Sequence, residues 1–186
     1  MKVKDLIQKQ AQILEVFFEK RETQIVLAVN EICQRLKTGH KLIVFGNGGS
    51  AAQAQHFAAE LVNKFLKSRR AIPALSLTTD TSSLTSIAND STFDDVFSRQ
   101  LEALGKEGDV VVALSTSGES RNVIRALQTA RDNGLFPIGL TGEGGGTVGS
   151  LCEILLDIPS QDTPQVQEAH LFLLHLLCRQ IEEKVG

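Results

Sequence analysis

The stretch from Leu42 to Leu61, with the sequence LIVFGNGGSAAQAQHFAAEL, constrains the fold of this chain more than any other. A short apolar run is followed by a glycine-rich corner and then by an alanine-rich segment. This pattern predicts a buried strand, a tight loop and a helix. Glycines let a ligand approach the bare backbone, and the new helix points its free N–H groups at that ligand. The corner is therefore predicted to bind an anion such as phosphate.

The rest of the chain alternates between apolar runs typical of strands and segments with helical spacing of apolar residues. Further strands are predicted at Ile72 to Leu77, Asp109 to Leu114, Phe136 to Leu140 and Cys152 to Ile158. Helices are predicted at about residues 3–38 (two helices or one bent helix), at Phe93 to Leu104, after Ser120 and at about 163–184, with helical turns in Thr78 to Asp90.

This order predicts an α/β fold, with a five-stranded parallel sheet that carries helices on both faces. We expect one domain over residues 1–186. It would have an N-terminal helical extension at about 1–38 and a long C-terminal helix at about 163–184.

A second corner follows the third predicted strand, where the sequence continues as STSGES. Ligands of open parallel sheets bind outside the carboxyl ends of the strands, so both corners lie where a ligand is expected. Four hydroxyl donors at the start of a helix suit phosphate oxygens, although they could instead only cap that helix. They are Ser115, Thr116, Ser117 and Ser120.

The sequence GNGGSA also fits the G-x-G-x-x-A form of the dinucleotide fingerprint, so a nicotinamide cofactor is an alternative. A small domain with a second phosphate corner leaves little room for both a dinucleotide and a substrate. The P-loop pattern G-x-x-x-x-G-K-[ST] does not occur, which argues against P-loop nucleotide chemistry.

Two segments carry candidate acid–base or metal-binding groups. His56 and Glu60 are four residues apart on a predicted helix and share a face, so they could exchange protons with a substrate or hold a divalent metal. A solvated surface pair is the alternative. On the last helix, His170 and His175 are about 140° apart and cannot both face one site.

His175 lies in the apolar segment LFLLHLLC, which predicts that its imidazole is buried. A buried histidine can be a core residue instead of a catalyst, and both interpretations stay open. By spacing alone, Glu168 shares a stripe with His175 and is favoured over Gln167 as its companion.

Composition excludes several classes of function. The formal net charge of −3 and the absence of Trp and Tyr argue against a nucleic-acid surface. The cysteines are odd in number, far apart and without C-x-x-C spacing, which disfavours disulfides and thiolate zinc sites: Cys33, Cys152 and Cys178. Neither a signal-peptide core nor a bilayer-spanning run is evident, so we expect a cytoplasmic protein.

Taken together, five motifs resemble those of the phosphoheptose isomerases, and the resemblance covers essentially the whole chain. They are FGNGGSAAQAQHFAAEL, SIANDSTFDDVFSRQLEALG, ALSTSGESRNV, GLTGEGGG and QVQEAHLFLLHLL. Members of this family have a single sugar-isomerase (SIS) domain and convert sedoheptulose 7-phosphate to D-glycero-D-manno-heptose 7-phosphate. The resemblance implies a flavodoxin-like three-layer α/β/α sandwich and a homotetramer with active sites between subunits. It also implies one zinc ion per subunit and a cytoplasmic role in making the ADP-heptose precursor of the lipopolysaccharide core.

The resemblance also implies roles for individual residues. The implied zinc ligands are His56, Glu60, Gln167 and His175, of which Glu60 and His175 are also the acid–base pair. The implied substrate contacts are Asn47, Gly48, Gly49, Glu60, Asn89, Asp90, Ser115, Thr116, Ser117, Ser120 and Gln167. The choice of Gln167 disagrees with the stripe that favours Glu168. Lys64 also departs from the arginine that many members carry there.

The expected chemistry moves a proton between C1 and C2 through an enediolate. Glu60 is expected to take the C1 proton, His175 to transfer protons at the oxygens, and zinc to stabilise the oxyanion. One alternative is a non-catalytic protein on the same fold that associates with the replication initiator; that branch lacks the Glu and second His that this chain retains. A sugar-phosphate-sensing regulator is another, and the lack of a DNA-binding segment argues against it.

Assembly is predicted independently from the terminal helices. Apolar residues surround most of the last helix: Leu171, Phe172, Leu173, Leu174, Leu176, Leu177 and Ile181. A helix that is apolar on several sides must be buried on several sides, so we expect subunits to pack through the terminal helices. A single centrally buried helix is the alternative.

Overall fold

The computed structural model describes residues 2–186, so Met1, the first residue of the predicted extension, lies outside the described residues. The strands are β1 (Leu42–Gly46), β2 (Ala74–Ser76), β3 (Val110–Ser115), β4 (Phe136–Thr141) and β5 (Ile154–Asp157). The helices are α1 (Val3–Lys37), α2 (Gly49–Val62), α3 (Thr81–Asp90), α4 (Ser98–Leu104), α5 (Arg121–Asp132), α6 (Gly146–Ser150) and α7 (Thr163–Val185). A 3₁₀ turn, Phe93–Asp95, precedes α4.

All five strands pair in parallel in the order β2-β1-β3-β4-β5, which confirms the predicted sheet. Side chains of β1 alternate between two apolar layers: Leu42 and Val44 pack with α1, α2 and α7, and Ile43 and Phe45 pack with α4 and α5. This alternation follows from the two-residue period of a strand. The result is the expected three-layer α/β/α sandwich with the flavodoxin-like strand order.

The strand order reverses direction between β1 and β3, which are neighbours in the sheet. Gly46, the last residue of β1, is paired with Leu114 near the end of β3. The corners that follow β1 and β3 therefore open side by side at the carboxyl edge of the sheet, at its topological switch point.

The N-terminal extension is a single helix of 35 residues, which settles the choice between two helices and one. At 1.5 Å per residue, α1 is about 52 Å long. Its middle and C-terminal parts pack against α7 and β5, and Arg21 forms a 2.6 Å ion pair with Asp157 at the end of β5. This packing places α7 between α1 and α2, with its side chains in the larger apolar layer.

Several predicted boundaries are wrong. The single helix predicted at Phe93 to Leu104 is interrupted because Asp95 turns into the protein, where its carboxylate pairs with Arg125 Nε at 2.9 Å. The second strand begins after Pro73, which has no N–H for a ladder. The fifth strand is shorter than predicted, and the short helix α6 was not predicted.

Apolar side chains remain on the surface of the terminal helices. Ten residues of α7 are buried, but Phe172 is 51% exposed, and α1 exposes Val3, Ile7, Val26 and Leu27. The prediction of subunit packing through these helices stays a prediction. Among residues 2–186, none of the helices combines the length and the hydrophobicity that a bilayer crossing requires.

Candidate active site

The two corners that follow β1 and β3 are joined by a reciprocal pair of side-chain amides. Asn47, in the corner after β1, donates to Asn122 Oδ1 at 2.8 Å, and Asn122 donates back to Asn47 Oδ1 at 2.9 Å. Asn122 lies in the first turn of α5 and is 3% exposed. Because both amides are satisfied by each other, the two corners are held at a fixed separation.

The second corner is shaped by a third glycine-rich loop, the one that follows β4. Gly118 has a φ of +69°, and its carbonyl accepts a 2.9 Å hydrogen bond from the Val148 amide. The Glu119 carboxylate accepts hydrogen bonds from the backbone amide and the hydroxyl of Thr147, both at 2.8 Å, and these bonds lower the pKa of its carboxyl. The loop after β4 therefore braces the hydroxyl corner.

The second corner carries its four hydroxyl residues on the turn that leads from β3 into α5. Ser115 is buried, and its Oγ donates to Ser120 Oγ at 3.1 Å. Thr116 is half-buried and Ser117 is exposed. The four predicted hydroxyl residues thus lie on one turn beside the first corner, where hydroxyl groups could donate to phosphate oxygens.

The acid–base candidates meet on the side of the sandwich, between α2 and α7. The Nε2 atoms of His56 and His175 are 2.8 Å apart, and Glu60 Oε1 lies 3.7 Å from His56 Nε2. His175 is half-buried, so the prediction of a buried imidazole is wrong. Phe65 stacks on its ring, with centroids 5.6 Å apart.

His170 is the core histidine of α7. It is fully buried, and its Nε2 lies 3.1 Å from the carbonyl oxygen of Thr141 at the end of β4. Its Nδ1 has no hydrogen-bond partner among the described residues. Burial lowers its pKa to about 4, an effect that the Thr141 carbonyl partly opposes. As the sequence predicted, His170 and His175 face different surroundings.

Helices α2 and α7 run side by side in the same direction. Gly49 lies so close to the Gln167 side chain that a Cβ added to Gly49 would be 2.6 Å from Nε2 of Gln167. One turn later, Gln53 donates to the Gln167 carbonyl at 2.6 Å, and His56 then meets His175. Gln167 therefore lies at the first corner, about 12 Å along α7 from His175.

Other predicted site residues have exposed side chains. Asn89 and Asp90 hydrogen-bond to each other at 2.7 Å at the exposed end of α3, a helix that buries none of its side chains. Glu168 and Lys64 are exposed. The residues that contact His175 come from α2 and the segment after it, so the stripe along α7 did not identify its companions.

The donors of the His56 cluster have the chemistry that zinc prefers, because zinc binds imidazole nitrogens and carboxylate oxygens. When both rings are neutral, one Nε2 donates its proton to the other; if each ring instead carried its proton on Nδ1, both Nε2 lone pairs would be available to a cation. His56 lies close to both His175 and Glu60, but the three side chains do not converge on one point that could hold a metal ion, and no other three His, Cys, Asp or Glu side chains among residues 2–186 do so. The donor types fit zinc, whereas the ligand set within one protomer is incomplete.

The cysteines do not add thiolate ligands. None of the three is in a disulfide. Burial raises the pKa of Cys152 and of Cys178 to about 12, so both thiols stay protonated at neutral pH.

Cavities flank α7 on two sides. One of about 440 Å³ is bordered by Phe65, Phe172, His175 and Arg179. A larger cavity of about 500 Å³ lies between α1 and α7 and has a mostly apolar lining with Glu19 at its rim. We assign chemistry to the smaller cavity because only that one borders a candidate catalytic group.

Sequence reasoning missed Asn122, Gln53 and Phe65. A signal was available for Asn122, which stands among the apolar positions of α5 and so needs a buried partner. Gln53 lies one turn after Gly49 and one turn before His56 on α2, where helical spacing could have indicated it. Nothing in the sequence pointed to Phe65, because its position depends on how the chain leaves α2.

Comparison with known proteins gives a consistent result. The SIS domain family matches residues 6–142. Phosphoheptose isomerase of Desulfovibrio desulfuricans is 52% identical over 169 residues, covering 91% of this chain and 80% of the relative. That of Trichlorobacter lovleyi is 48% identical over 185 residues, covering 97% and 94%.

Solved structures of the same family superpose closely. Phosphoheptose isomerase from Neisseria gonorrhoeae aligns with a TM-score of 0.91 and 39% identity, covering 97% of each chain. The enzyme from Francisella tularensis aligns with a TM-score of 0.88 and 32% identity, covering 98% of this chain and 100% of the other.

Proposed function

This chain belongs to the phosphoheptose isomerases of the SIS domain family and is an aldose–ketose isomerase. We propose that it converts sedoheptulose 7-phosphate to D-glycero-D-manno-heptose 7-phosphate. The observation that carries the proposal is the contact of His56 with His175 and the approach of Glu60 to His56, with the hydroxyl residues of the second corner at the edge of the same sheet.

The separation of the two clusters suits this substrate. His56 is seven residues after Gly49 on α2, which corresponds to about 10 Å of helix rise. In sedoheptulose 7-phosphate, the phosphate is at the opposite end of the carbon chain from the two reacting carbons. A phosphate held in the Ser115 to Ser120 corner would leave those carbons free to reach acid–base groups, and holding both ends fixes the reacting geometry.

Glu60 is the proposed base that moves the proton between C1 and C2. Its carboxylate lies one helical turn from His56 and is partly exposed, so it can meet a substrate carbon. His175 is the proposed proton donor and acceptor at the substrate oxygens. Its Nε2 points at the same cluster, and Phe65 covers one face of the ring.

A zinc ion would be held by His56, Glu60, His175 and Gln167. Bound there, it would supply positive charge to the oxygen on which negative charge develops. Glu60 can turn toward the histidine pair by a change of rotamer. Gln167, at the first corner, needs a longer movement or a place in the site of a second copy.

We place the active site between subunits of a homotetramer. The exposed apolar side chains of α1 and the exposed Phe172 support this, because surfaces of this kind are usually covered. A second copy would also offer a way to bring Asn89 and Asp90 to a substrate. The proposed setting, cytoplasmic supply of heptose for the lipopolysaccharide core, rests on the family alone.

The alternative of a non-catalytic protein that associates with the replication initiator has no support. The two curated relatives described above are phosphoheptose isomerases. This chain also retains Glu60 and His175, the two groups that such a non-catalytic protein would lack.

The test is to incubate the protein with sedoheptulose 7-phosphate in D₂O and to follow the product by NMR. We expect the aldose to appear with solvent deuterium at C2, because an enediolate exchanges its proton through the base. Sedoheptulose without the phosphate is the matched control and should react far more slowly. No aldose product, with zinc supplied, would contradict the proposal.

A further inference from the structure

The segment from Asn63 to Arg70, which leaves α2, is held by one carboxylate near the end of α7. Three successive amides, those of Phe65, Leu66 and Lys67, donate to the Glu182 carboxylate at 3.1, 2.9 and 3.0 Å. Arg69 Nε adds a fourth bond at 3.0 Å. The side chains of Glu182 and Arg69 are only 2% and 3% exposed, so this is a buried ion pair with a built set of partners.

The same arginine closes the C-terminus of α2. Its Nη2 donates to the backbone carbonyl of Glu60, and its Nη1 donates to the backbone carbonyl of Leu61, both at 2.8 Å. A cation at this end of a helix also interacts favourably with the helix dipole. Arg69 therefore fixes the turn of α2 that carries Glu60.

Phe65 connects this ion pair to the candidate active site. Its ring lies on the His175 imidazole, at an interplanar angle of 28°. His175 and Glu182 are seven residues apart on α7 and share a face, so the carboxylate that binds the Phe65 amide stands two turns beyond the imidazole. The ring of His175 is thus held between Phe65 and His56.

A buried ion pair is a poor device for stability alone, because desolvating two charges offsets most of their attraction. Its better-attested use is to specify one arrangement of the chain. Here the arrangement that it specifies includes the C-terminus of α2 and the ring that covers His175.

We infer that Glu182 and Arg69 are positioning residues. They hold Phe65 against His175, so that the imidazole keeps its orientation, and they hold the C-terminus of α2, so that the Glu60 carboxylate keeps its own. This rests on the proposed function of Glu60 and His175. The phosphate corners lie at the far end of α2. Loss of the pair should therefore lower kcat by about tenfold or more through misplacement, while KM changes by less than about twofold.

Two readouts test the inference, using Glu182→Gln, Arg69→Lys and Phe65→Leu. The first is steady-state kinetics with sedoheptulose 7-phosphate. The second is the ring-proton shift of His175 in ¹³C-histidine-labelled, metal-free protein, where the stacked Phe65 ring moves the signal upfield. We expect all three variants to lower kcat and to move the His175 signal downfield.

Asp109→Asn is the matched control. Asp109 also has a buried carboxylate, which accepts hydrogen bonds from the backbone amides of Lys41 and Lys106. The same carboxylate forms an ion pair with the Lys41 ammonium. It lies at the amino end of β3, away from both corners. The control should lose thermal stability but keep the kcat and the His175 signal of the parent.

The inference is overturned if Glu182→Gln behaves like Asp109→Asn, with lower stability and unchanged kcat and His175 signal. If Glu182→Gln does not fold, the test rests on Phe65→Leu, which leaves the ion pair intact. An unchanged kcat of Phe65→Leu would also overturn the inference. If the parent protein lacks isomerase activity, the proposed function fails, and the His175 signal still shows whether Glu182 positions Phe65.

Discussion

Acidification should destabilise the protein through His170, the buried imidazole of α7. In the neutral ring, Nε2 carries the proton because it faces the Thr141 carbonyl, and Nδ1 has no partner among the described residues. A second proton on Nδ1 would place a charge with an unsatisfied N–H in the apolar layer. The folded protein therefore resists protonation at this site.

The size of the effect follows from the two pKa values. The pKa of His170 is about 4 in the folded protein and 6.5 as the ordinary value. The unfolded chain binds more protons between these values, so stability is full above pH 6.5 and falls as the pH drops toward 4. At pH 5 the loss from this residue is about 2 kcal/mol relative to pH 7.5.

The assay is urea unfolding at pH 7.5 and pH 5, compared between the parent and His170→Gln at equal protein concentration. Far-UV circular dichroism is the probe, because the chain contains no Trp or Tyr. Glutamine can still donate to the Thr141 carbonyl but does not titrate, so the variant should lose about 2 kcal/mol less than the parent. Equal losses in the two proteins would refute the reasoning.

Further predictions concern the corners and the metal. Gly118→Ala should destabilise by more than about 2 kcal/mol, since Gly118 has a φ of +69° and an added Cβ would lie 2.2 Å from the Gly145 carbonyl oxygen. Gly48→Ala, where nothing lies within 4 Å of the added Cβ, should cost about 1 to 3 kcal/mol in urea unfolding, because its φ of +55° and ψ of −120° strain any residue with a Cβ. Asn122→Ala leaves the Asn47 amide without its partner and should raise KM about tenfold in steady-state assays; an unchanged KM would refute it. Chelation should abolish turnover and added zinc should restore it, as measured by activity with elemental analysis; full activity of metal-free protein would contradict the zinc proposal.

Much of the fold could be predicted because the strands carry their own signal. VVVAL, from Val110 to Leu114, is apolar without interruption, and every residue of β3 is buried. The break at Asp95 could not be predicted, since it depends on Arg125, which is 30 residues away in the chain and meets it only after folding. The shortened β2 depends likewise on its place at the edge of the sheet.

At the candidate site, the corners and the His56–Glu60 pair were predictable because each lies within one local motif. The contact of that pair with His175 depends on the packing of α7 against α2, which no local pattern records. Spacing along α7 instead favoured Glu168, which is exposed. Helical periodicity identifies residues that share a face but does not say which helix that face meets.

The most direct test of the account is the kinetics of Glu60→Gln, with Glu168→Gln as the matched control on an exposed carboxylate. We predict that Glu60→Gln loses turnover by a factor of about 10³ or more while sedoheptulose 7-phosphate binds with the affinity of the parent, and that the control is fully active. A kcat of the Glu60→Gln enzyme equal to that of the parent would contradict the account.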